Sequence, residues 1–126
     1  MKHRATSEST IDRNPQFERA LDLVRDGRSL FITGRAGTGK STLLGVLRKE
    51  IEQPMIVLAP TGVAALNVRG ETIHSFCKVR PGVTEADARI AGARRRSDDL
   101  LKAIRLVVID EISMVRADLL DCLDTF

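Results

Sequence analysis

The chain reads Gly34-Arg35-Ala36-Gly37-Thr38-Gly39-Lys40-Ser41 at the point that decides its fold. Before this stretch, the apolar and partly β-branched run from Leu30 to Thr33 predicts a short buried strand. After it, apolar residues at helical spacing predict a helix; they are Leu43, Leu44, Val46, Leu47 and Ile51. A glycine-rich loop that joins a strand to a helix predicts an α/β domain with a phosphate-binding loop.

The residues of this loop have the chemistry that a triphosphate needs. Glycines let the backbone bring amide N–H groups against phosphate oxygens, and the following helix adds its positive end. We expect Lys40 to reach the β- and γ-phosphates and the Ser41 hydroxyl to ligate Mg²⁺. The other expected nucleotide contacts are Gly34, Ala36, Gly37, Thr38, Gly39 and Thr42. The alternative is a chance glycine turn before a helix.

A second motif follows another apolar run. Leu106 to Ile109 is wholly apolar, as expected for a parallel strand covered on both faces, and it ends in Asp110 and Glu111. Open α/β sheets place their ligands at the carboxyl ends of strands. We expect Asp110 to hold Mg²⁺ and Glu111 to orient or deprotonate the attacking water, with Lys40 as the third catalytic residue. The alternative is a strand end with two solvated acids.

Two further blocks lie between these motifs. Met55–Ala59 predicts another buried strand and leads into the block Pro60-Thr61-Gly62-Val63-Ala64-Ala65. The other block is Thr72-Ile73-His74-Ser75-Phe76. With the phosphate loop and Asp110-Glu111-Ile112-Ser113-Met114-Val115, they closely resemble the Pif1-like branch of superfamily 1 DNA helicases. The RecD and conjugative-relaxase helicases share this architecture but more often depart from the His-Ser-Phe block.

The resemblance covers nearly the whole chain and implies a RecA-like P-loop NTPase domain, a mainly parallel sheet flanked by helices. Such helicases couple Mg·ATP hydrolysis to 5′→3′ movement on single-stranded DNA in repair, recombination or replication, and the family is also associated with telomere maintenance. Only the first of their two RecA-like lobes, lobe 1A, would be present here, and the γ-phosphate-sensing glutamine and the arginine finger are not found. We therefore expect an N-terminal part of a larger protein, weakly active or inactive alone.

The resemblance also implies contacts with single-stranded DNA from the two middle blocks. The matching residues are Thr61, Gly62, Ala65, His74, Ser75 and Phe76. The flat faces of Phe76 and His74 suit base stacking, which is worth about 1–3 kcal/mol per base. The alternatives are that Phe76 fills the core and that His74 is an ordinary satisfied histidine.

The amino-terminal part divides into a polar lead and the start of the domain. Residues 1–10 lack periodicity and are expected to be disordered, so the domain would span residues 11–126. Asn14 and Pro15 predict the start of a helix that buries Phe17, Ala20, Leu21 and Val24 and ends at Gly27. In the resembling family a glutamine before the phosphate loop reads adenine. Gln16 is the candidate for this role, and Glu18 is the other residue that could occupy the matching position. The alternative is that Gln16 is an ordinary exposed glutamine in the first turn of the helix.

Charge is concentrated in the middle of the chain. Residues 69–105 carry nine Lys or Arg and five acids, whereas the whole chain has a net charge of +3. A basic segment attracts a phosphate backbone. The run Arg94, Arg95 and Arg96 predicts a surface loop before a helix near Leu100, and such runs are usually solvated faces, so its role stays open.

The remaining features are mostly structural. Cys77 and Cys122 lack metal-ligand spacing, so we expect small buried side chains in a reduced intracellular protein, in the cytoplasm or nucleoid if bacterial. No apolar run reaches transmembrane length. The final helix is expected to bury Val115, Leu119, Leu120 and Leu123. Two rival functions stay open: a non-helicase P-loop ATPase of the AAA+ kind, and a nucleotide- or DNA-binding module without catalysis.

Overall fold

The structure is a computed structural model that describes residues 13–35 and 39–126. The expected disordered lead, residues 1–10, lies outside these ranges, as do Ala36, Gly37 and Thr38. The chain divides into two compact units, Met1–Glu52 and Gln53–Phe126. In the described part of the chain, no helix has the length and apolar character needed to cross a membrane.

The first unit contains two helices that bury most of the residues the sequence predicts, whereas Ala20 and Leu44 are only half-buried. Helix α1 spans Pro15–Arg25, and the Asn14 side chain caps it by accepting a hydrogen bond from the Phe17 amide at 2.9 Å. Helix α2 spans Lys40–Glu50. The buried apolar residues of this unit are Phe17, Leu21, Val24, Leu43, Val46, Leu47 and Ile51. Glu50, the last residue of α2, forms ion pairs with Arg13, just before α1, and with Arg25, at the end of α1.

The predicted strand from Leu30 to Thr33 is wrong for this structure. These residues form no strand, and Phe31 is 75% exposed. Apolar composition is only half of what a strand requires, because its backbone must also find a neighbouring strand for its hydrogen bonds. The strands of the described sheet all lie between residues 55 and 109. The run therefore lacks the strand pairing that the sequence predicts.

The second unit is built on a small parallel sheet. Its strands are β1 (Met55–Ala59), β2 (Glu71–Thr72) and β3 (Leu106–Ile109), in the order β2-β1-β3. Leu58 of β1 is in register with Glu71 of β2 and with Ile109 of β3, and both pairings are parallel. The flanking helices are α3 (Gly62–Asn67), α4 (Ile73–Cys77), α5 (Glu85–Arg94), α6 (Asp99–Ala103) and α7 (Ala117–Thr125), with a 3₁₀ turn at Ile112–Met114. This confirms the predicted α/β class.

One hydrophobic cluster of this unit packs on the face of β1 that carries Ile56 and Leu58. Leu58, Ile73 and Cys77 are buried at its centre. The apolar residues packed around them are Ile56, Phe76, Val79, Ile109, Val115, Leu119, Leu123 and Phe126. Both cysteines are buried and free, as predicted. Burial raises the pKa of the Cys77 thiol to about 11.

Two burial predictions in this unit are wrong. Leu120 is 40% exposed, because the inward face of α7 runs through Leu119, Cys122 and Leu123. Val107 is 45% exposed, so β3 is not covered on both faces. Strand β3 is an outer strand of the described sheet.

Candidate functional site

Three groups of sequence-predicted site residues come to one edge of the sheet. The three strands are parallel, so their carboxyl ends meet at the same edge. The block that starts at Thr61 follows β1, the block that contains His74 follows β2, and Asp110 follows β3. The strand order therefore places the first block in the middle, between the second block and the acidic pair.

The block after β1 begins with a capped helix. The Thr61 hydroxyl accepts a hydrogen bond from the Ala64 amide at 3.2 Å and so caps α3. Gly62 is exposed, and the space beside its Cα is open. Ala65 is only 5% exposed, because its methyl group packs in the interior, and its contact with DNA stays a prediction. The exposed apolar side chains of this helix are instead Val63 and Leu66, which sequence reasoning missed.

The block after β2 is held by two hydroxyl groups. Thr72 caps α4 by accepting a hydrogen bond from the Ser75 amide at 3.1 Å. The Ser75 hydroxyl donates to the Glu71 carboxylate at 2.8 Å. His74 is half-buried in the first turn of α4. Ser75 is exposed, so its hydroxyl oxygen can still accept a further hydrogen bond.

Phe76 is half-buried and engaged with its neighbours. Its ring lies 5.9 Å from the ring of Phe126, and the Arg95 guanidinium lies 5.8 Å from its centre. The guanidinium lies 5.5 Å from the ring of Phe126 as well. Arg95 also donates to the Phe76 carbonyl oxygen. These contacts favour the core role that the sequence left open for Phe76, and base stacking by this ring stays a prediction.

Arg95 itself is the residue that the sequence reading missed. Its side chain is 15% exposed and pairs with Asp98 at 3.0 Å, whereas Arg94 and Arg96 are exposed. The Arg95 hydrogen bond keeps the pKa of Asp98 below its usual value. The expectation of a solvated face is therefore wrong for the middle arginine. An acid three residues after Arg95 was the available signal.

The acidic pair has an unusual backbone. Asp110 is half-buried, and its amide donates to the Leu58 carbonyl at 2.9 Å, which continues the β1–β3 ladder. Glu111 is exposed and has a φ of 54°, in the left-handed region that side chains other than glycine seldom adopt. Its carbonyl accepts from the Met114 amide at 2.9 Å. Such strained positions cluster at functional sites, so this geometry supports a functional interpretation of Glu111.

In the first unit, the described part of the phosphate loop ends in a backbone that suits glycine. Gly39 has a φ of 92°, and a Cβ there would lie 3.1 Å from the Phe17 ring. The Lys40 ammonium group donates to the Gly34 carbonyl, so it bends back over the loop. Ser41 and Thr42 are exposed in the first turn of α2.

The adenine candidates lie on α1. Gln16 is exposed in the first turn of the helix. Glu18, the other candidate position, is exposed and pairs with Arg13 at 3.4 Å. The side chain of Gln16 is therefore the more available of the two, and its role stays a prediction.

Comparison with known proteins assigns the family. The family model described as PIF1-like helicase matches residues 12–126. The chain belongs to the PIF1-like helicase family. Among curated members it is 44% identical over 117 residues to the ATP-dependent DNA helicase PIF5 of Trypanosoma brucei brucei, and this covers 88% of the chain and 13% of that protein. It is 39% identical over 108 residues to the ATP-dependent DNA helicase Pif1 of Bdellovibrio bacteriovorus, covering 83% of the chain and 25% of that protein.

Solved members of the PIF1-like family have the same fold. The Pif1 helicase from Bacteroides in complex with ADP-AlF3 and ssDNA matches with a TM-score of 0.71 and 34% identity, covering 88% of this chain and 26% of that one. A further crystal structure of Bacteroides Pif1, a double mutant, matches with a TM-score of 0.77 and 31% identity, covering 91% of this chain and 27% of that one. The chain thus spans a quarter or less of the length of the two curated PIF1-like helicases.

Proposed function

We propose that this chain is the nucleotide-binding lobe of an ATP-dependent DNA helicase that moves along single-stranded DNA. The observation that carries the proposal is the carboxyl edge of the parallel sheet. The Thr61 block and the His74 block, which resemble DNA-contacting motifs, follow neighbouring strands at this edge, and the acidic pair follows β3. A motor requires its catalytic acids and its DNA contacts on connected elements, and the described sheet carries both the acidic pair and the two blocks.

The nucleotide is assigned to the loop before α2. Lys40 is the cation that would bind the β- and γ-phosphates, and its present partner, the Gly34 carbonyl, is one that a phosphate can replace. Gly39 has the backbone conformation that the end of such a loop requires. The amide groups of Gly34, Ala36, Gly37, Thr38 and Gly39 would bind phosphate oxygens, Thr42 would add a hydroxyl, and Gln16 would read adenine.

We assign the divalent ion that such ATPases use to Ser41 and Asp110, because each side chain by itself has the chemistry of a ligand. Ser41 offers an exposed hydroxyl and Asp110 a half-buried carboxylate, which are the hard oxygen ligands that Mg²⁺ prefers. In the described part of the chain, no three His, Cys, Asp or Glu residues form a metal-binding group. Protein ligands of this kind rely on substrate phosphates to complete the coordination. When bound, Mg²⁺ would neutralise charge that develops on the phosphate oxygens.

Glu111 is the residue to which we assign activation of water. Its carboxylate is exposed, and its left-handed backbone turns the chain sharply after Asp110. A general base positioned in this way contributes about 10²–10⁴ in rate.

We assign the contacts with single-stranded DNA to the Thr61 block, which follows β1, and to the His74 block, which follows β2. Gly62 leaves room for a phosphate, while Thr61 and Ser75 offer hydroxyl groups and His74 a ring. A second RecA-like lobe would close on ATP and complete the motor, as in the resembling helicases. The protein would act inside the cell, where its DNA substrate is.

The test separates nucleotide binding from hydrolysis and is carried out on the whole helicase of which we propose this chain to be one lobe. Lys40→Ala should abolish ATP binding, whereas Lys49→Ala, which removes an exposed cation from the last turn of the same helix, should leave it unchanged. Glu111→Gln should retain ATP binding and lose DNA-stimulated hydrolysis by about 10²–10⁴. Glu85→Gln, an exposed acid on α5, is its control.

Two outcomes would overturn the proposal. Retention of wild-type ATP affinity by Lys40→Ala would mean that the loop is misassigned. Hydrolysis that single-stranded DNA does not stimulate would favour a P-loop ATPase of another class.

A further inference from the structure

A groove with a volume of about 410 Å³ lies beside helix α4 in the second unit. One wall is the segment 78–83, which turns at Pro81 and Gly82. The other wall is one face of α5, whose lining residues are three to four positions apart: Asp87, Ile90, Ala91 and Arg94. The groove belongs to none of the motifs assigned above.

The rim of the groove is cationic. Lys78 and Arg80 lie on the segment wall and Arg94 lies on the helix wall, and all three are exposed. Within residues 13–35 and 39–126, none of the three has a carboxylate at ion-pair distance. Their charges are therefore available to an anion.

The acid that lines the groove is already in use. Asp87 accepts hydrogen bonds from the amide and the hydroxyl of Thr84, at 3.1 and 2.8 Å, in a capping box at the start of α5. These bonds hold the pKa of Asp87 below its usual value, so it stays ionised, but they direct its carboxylate to the helix cap. Three cations and one engaged acid leave an excess of positive charge in the groove.

The apolar lining and the position of the groove indicate the kind of anion. Val79 and Val83 are half-buried, and Ile90 is 52% exposed, so apolar surface lies beside the charged rim. The segment also continues directly from α4. The Lys78 amide donates to the Ser75 carbonyl at 3.1 Å, and the Val79 amide donates to the His74 carbonyl at 3.0 Å.

We propose that this groove is an additional contact surface for single-stranded DNA, in which Lys78, Arg80 and Arg94 bind the phosphates of nucleotides next to those at α4. The proposal rests on the proposed function, because α4 is the block assigned to DNA there. A chain with regularly spaced phosphates and partly apolar bases fits a cationic rim beside apolar side chains. The direct link between Ser75 and Lys78 lets one strand contact both places.

The test is the salt dependence of binding to an oligothymidylate of about 20 nucleotides, measured with the protein that contains these residues. The variant Lys78→Gln, Arg80→Gln, Arg94→Gln removes three phosphate contacts. Since each contact with a single strand contributes about 0.7 to the slope of log affinity against log salt, this slope should fall by about 2. The matched control, Arg89→Gln, Arg96→Gln, Lys102→Gln, removes three exposed cations outside the groove and should change the slope by less than about 1.

Each result decides between named alternatives. Equal slopes for the two triple variants would overturn the proposal, since net charge alone would then explain the effect. Binding of a polyglutamate peptide that requires the groove, with unchanged DNA binding, would overturn it in favour of an acidic protein partner. If the groove variant does not fold, the three single variants, each expected to lower the slope by about 0.7, are measured instead. A wild-type protein that does not bind DNA would refute the proposed function itself.

Discussion

At the scale of single residues, three consecutive arginines have three different environments. Arg94 lines the groove beside α4, Arg96 is exposed, and Arg95 lies against the rings of Phe76 and Phe126. Arg95 also binds the Phe76 carbonyl and the Asp98 carboxylate. Because a guanidinium group donates several hydrogen bonds in one plane while its faces contact rings, Arg95 can link α4 to the turn after α5.

Replacement of Arg95 should therefore destabilise the fold. Arg95→Ala loses the hydrogen bonds to the Asp98 carboxylate and the Phe76 carbonyl and two cation–π contacts, and we expect the free energy of unfolding to fall by about 1–3 kcal/mol. Arg96→Ala should change it by less than about 0.5 kcal/mol, as is usual for an exposed residue. Urea unfolding of both variants is the measurement. Equal effects would show that Arg95 does not make these contacts in solution.

The Cys77 thiol gives a prediction about alkaline pH. Burial raises its pKa from 9.0 to about 11, so above pH 9 the unfolded chain loses this proton more readily than the folded chain. The contribution of Cys77 is therefore constant below pH 9, and the free energy of unfolding falls between about pH 9 and 11. Urea unfolding across this range should show a shallower fall for Cys77→Ala. An unchanged slope in that variant would contradict the assignment.

At the scale of elements, sequence patterns that act within one helix predicted the structure correctly. Patterns whose outcome depends on a distant strand did not. The Asn14 cap and the apolar stripe of Phe17, Leu21 and Val24 depend only on residues of one helix, and α1 has both features. The run from Leu30 to Thr33 has strand composition, but composition does not say which strand pairs with it. The sequence thus predicts helices and two strands of the sheet better than it predicts pairing.

The candidate site shows the same division. The sequence placed two of the groups at the ends of predicted strands, whereas the short strand β2 before the His74 block was not predicted. The parallel sheet brings all three groups together. The burial of Ala65 and the contacts of Arg95 depend on packing between elements, which spacing along the chain does not record. The left-handed backbone of Glu111 also has no signature in the residue type, because glutamate rarely adopts it.

Two glycines test how closely the elements pack. A Cβ at Gly70, just before β2, would lie 2.5 Å from the Val57 carbonyl oxygen of β1, so Gly70→Ala should force the strands apart and cost about 1–3 kcal/mol. Gly45 lies in α2 with open space around it, so Gly45→Ala should stabilise by about 0.5–1 kcal/mol. Thermal unfolding of both variants should therefore show midpoints that move in opposite directions. A Gly70→Ala protein that is as stable as the wild type would contradict the close approach of Gly70 to the Val57 carbonyl of β1.

At the scale of the whole molecule, the small parallel sheet supports the function that we propose for this member of the PIF1-like family. The parallel arrangement places every loop after a strand at one edge, so the acidic pair and the proposed DNA contacts can be coupled through β1 and its neighbours. Rapid ATP hydrolysis in the resembling helicases also requires two further motifs. The motifs of the resembling helicases that sense the γ-phosphate and supply an arginine finger are not found in the sequence.

This requirement predicts the behaviour of the 126-residue chain expressed alone. An arginine finger contributes about 10³–10⁵ to the rate in related phosphoryl transfer, so the chain should bind ATP weakly and hydrolyse it slowly or not at all, with or without single-stranded DNA. Steady-state ATP hydrolysis with and without oligothymidylate is the measurement, with Glu111→Gln as the background. Rapid turnover that DNA stimulates and Glu111→Gln abolishes would show that these residues are a sufficient ATPase, and the need for a second lobe would then be wrong.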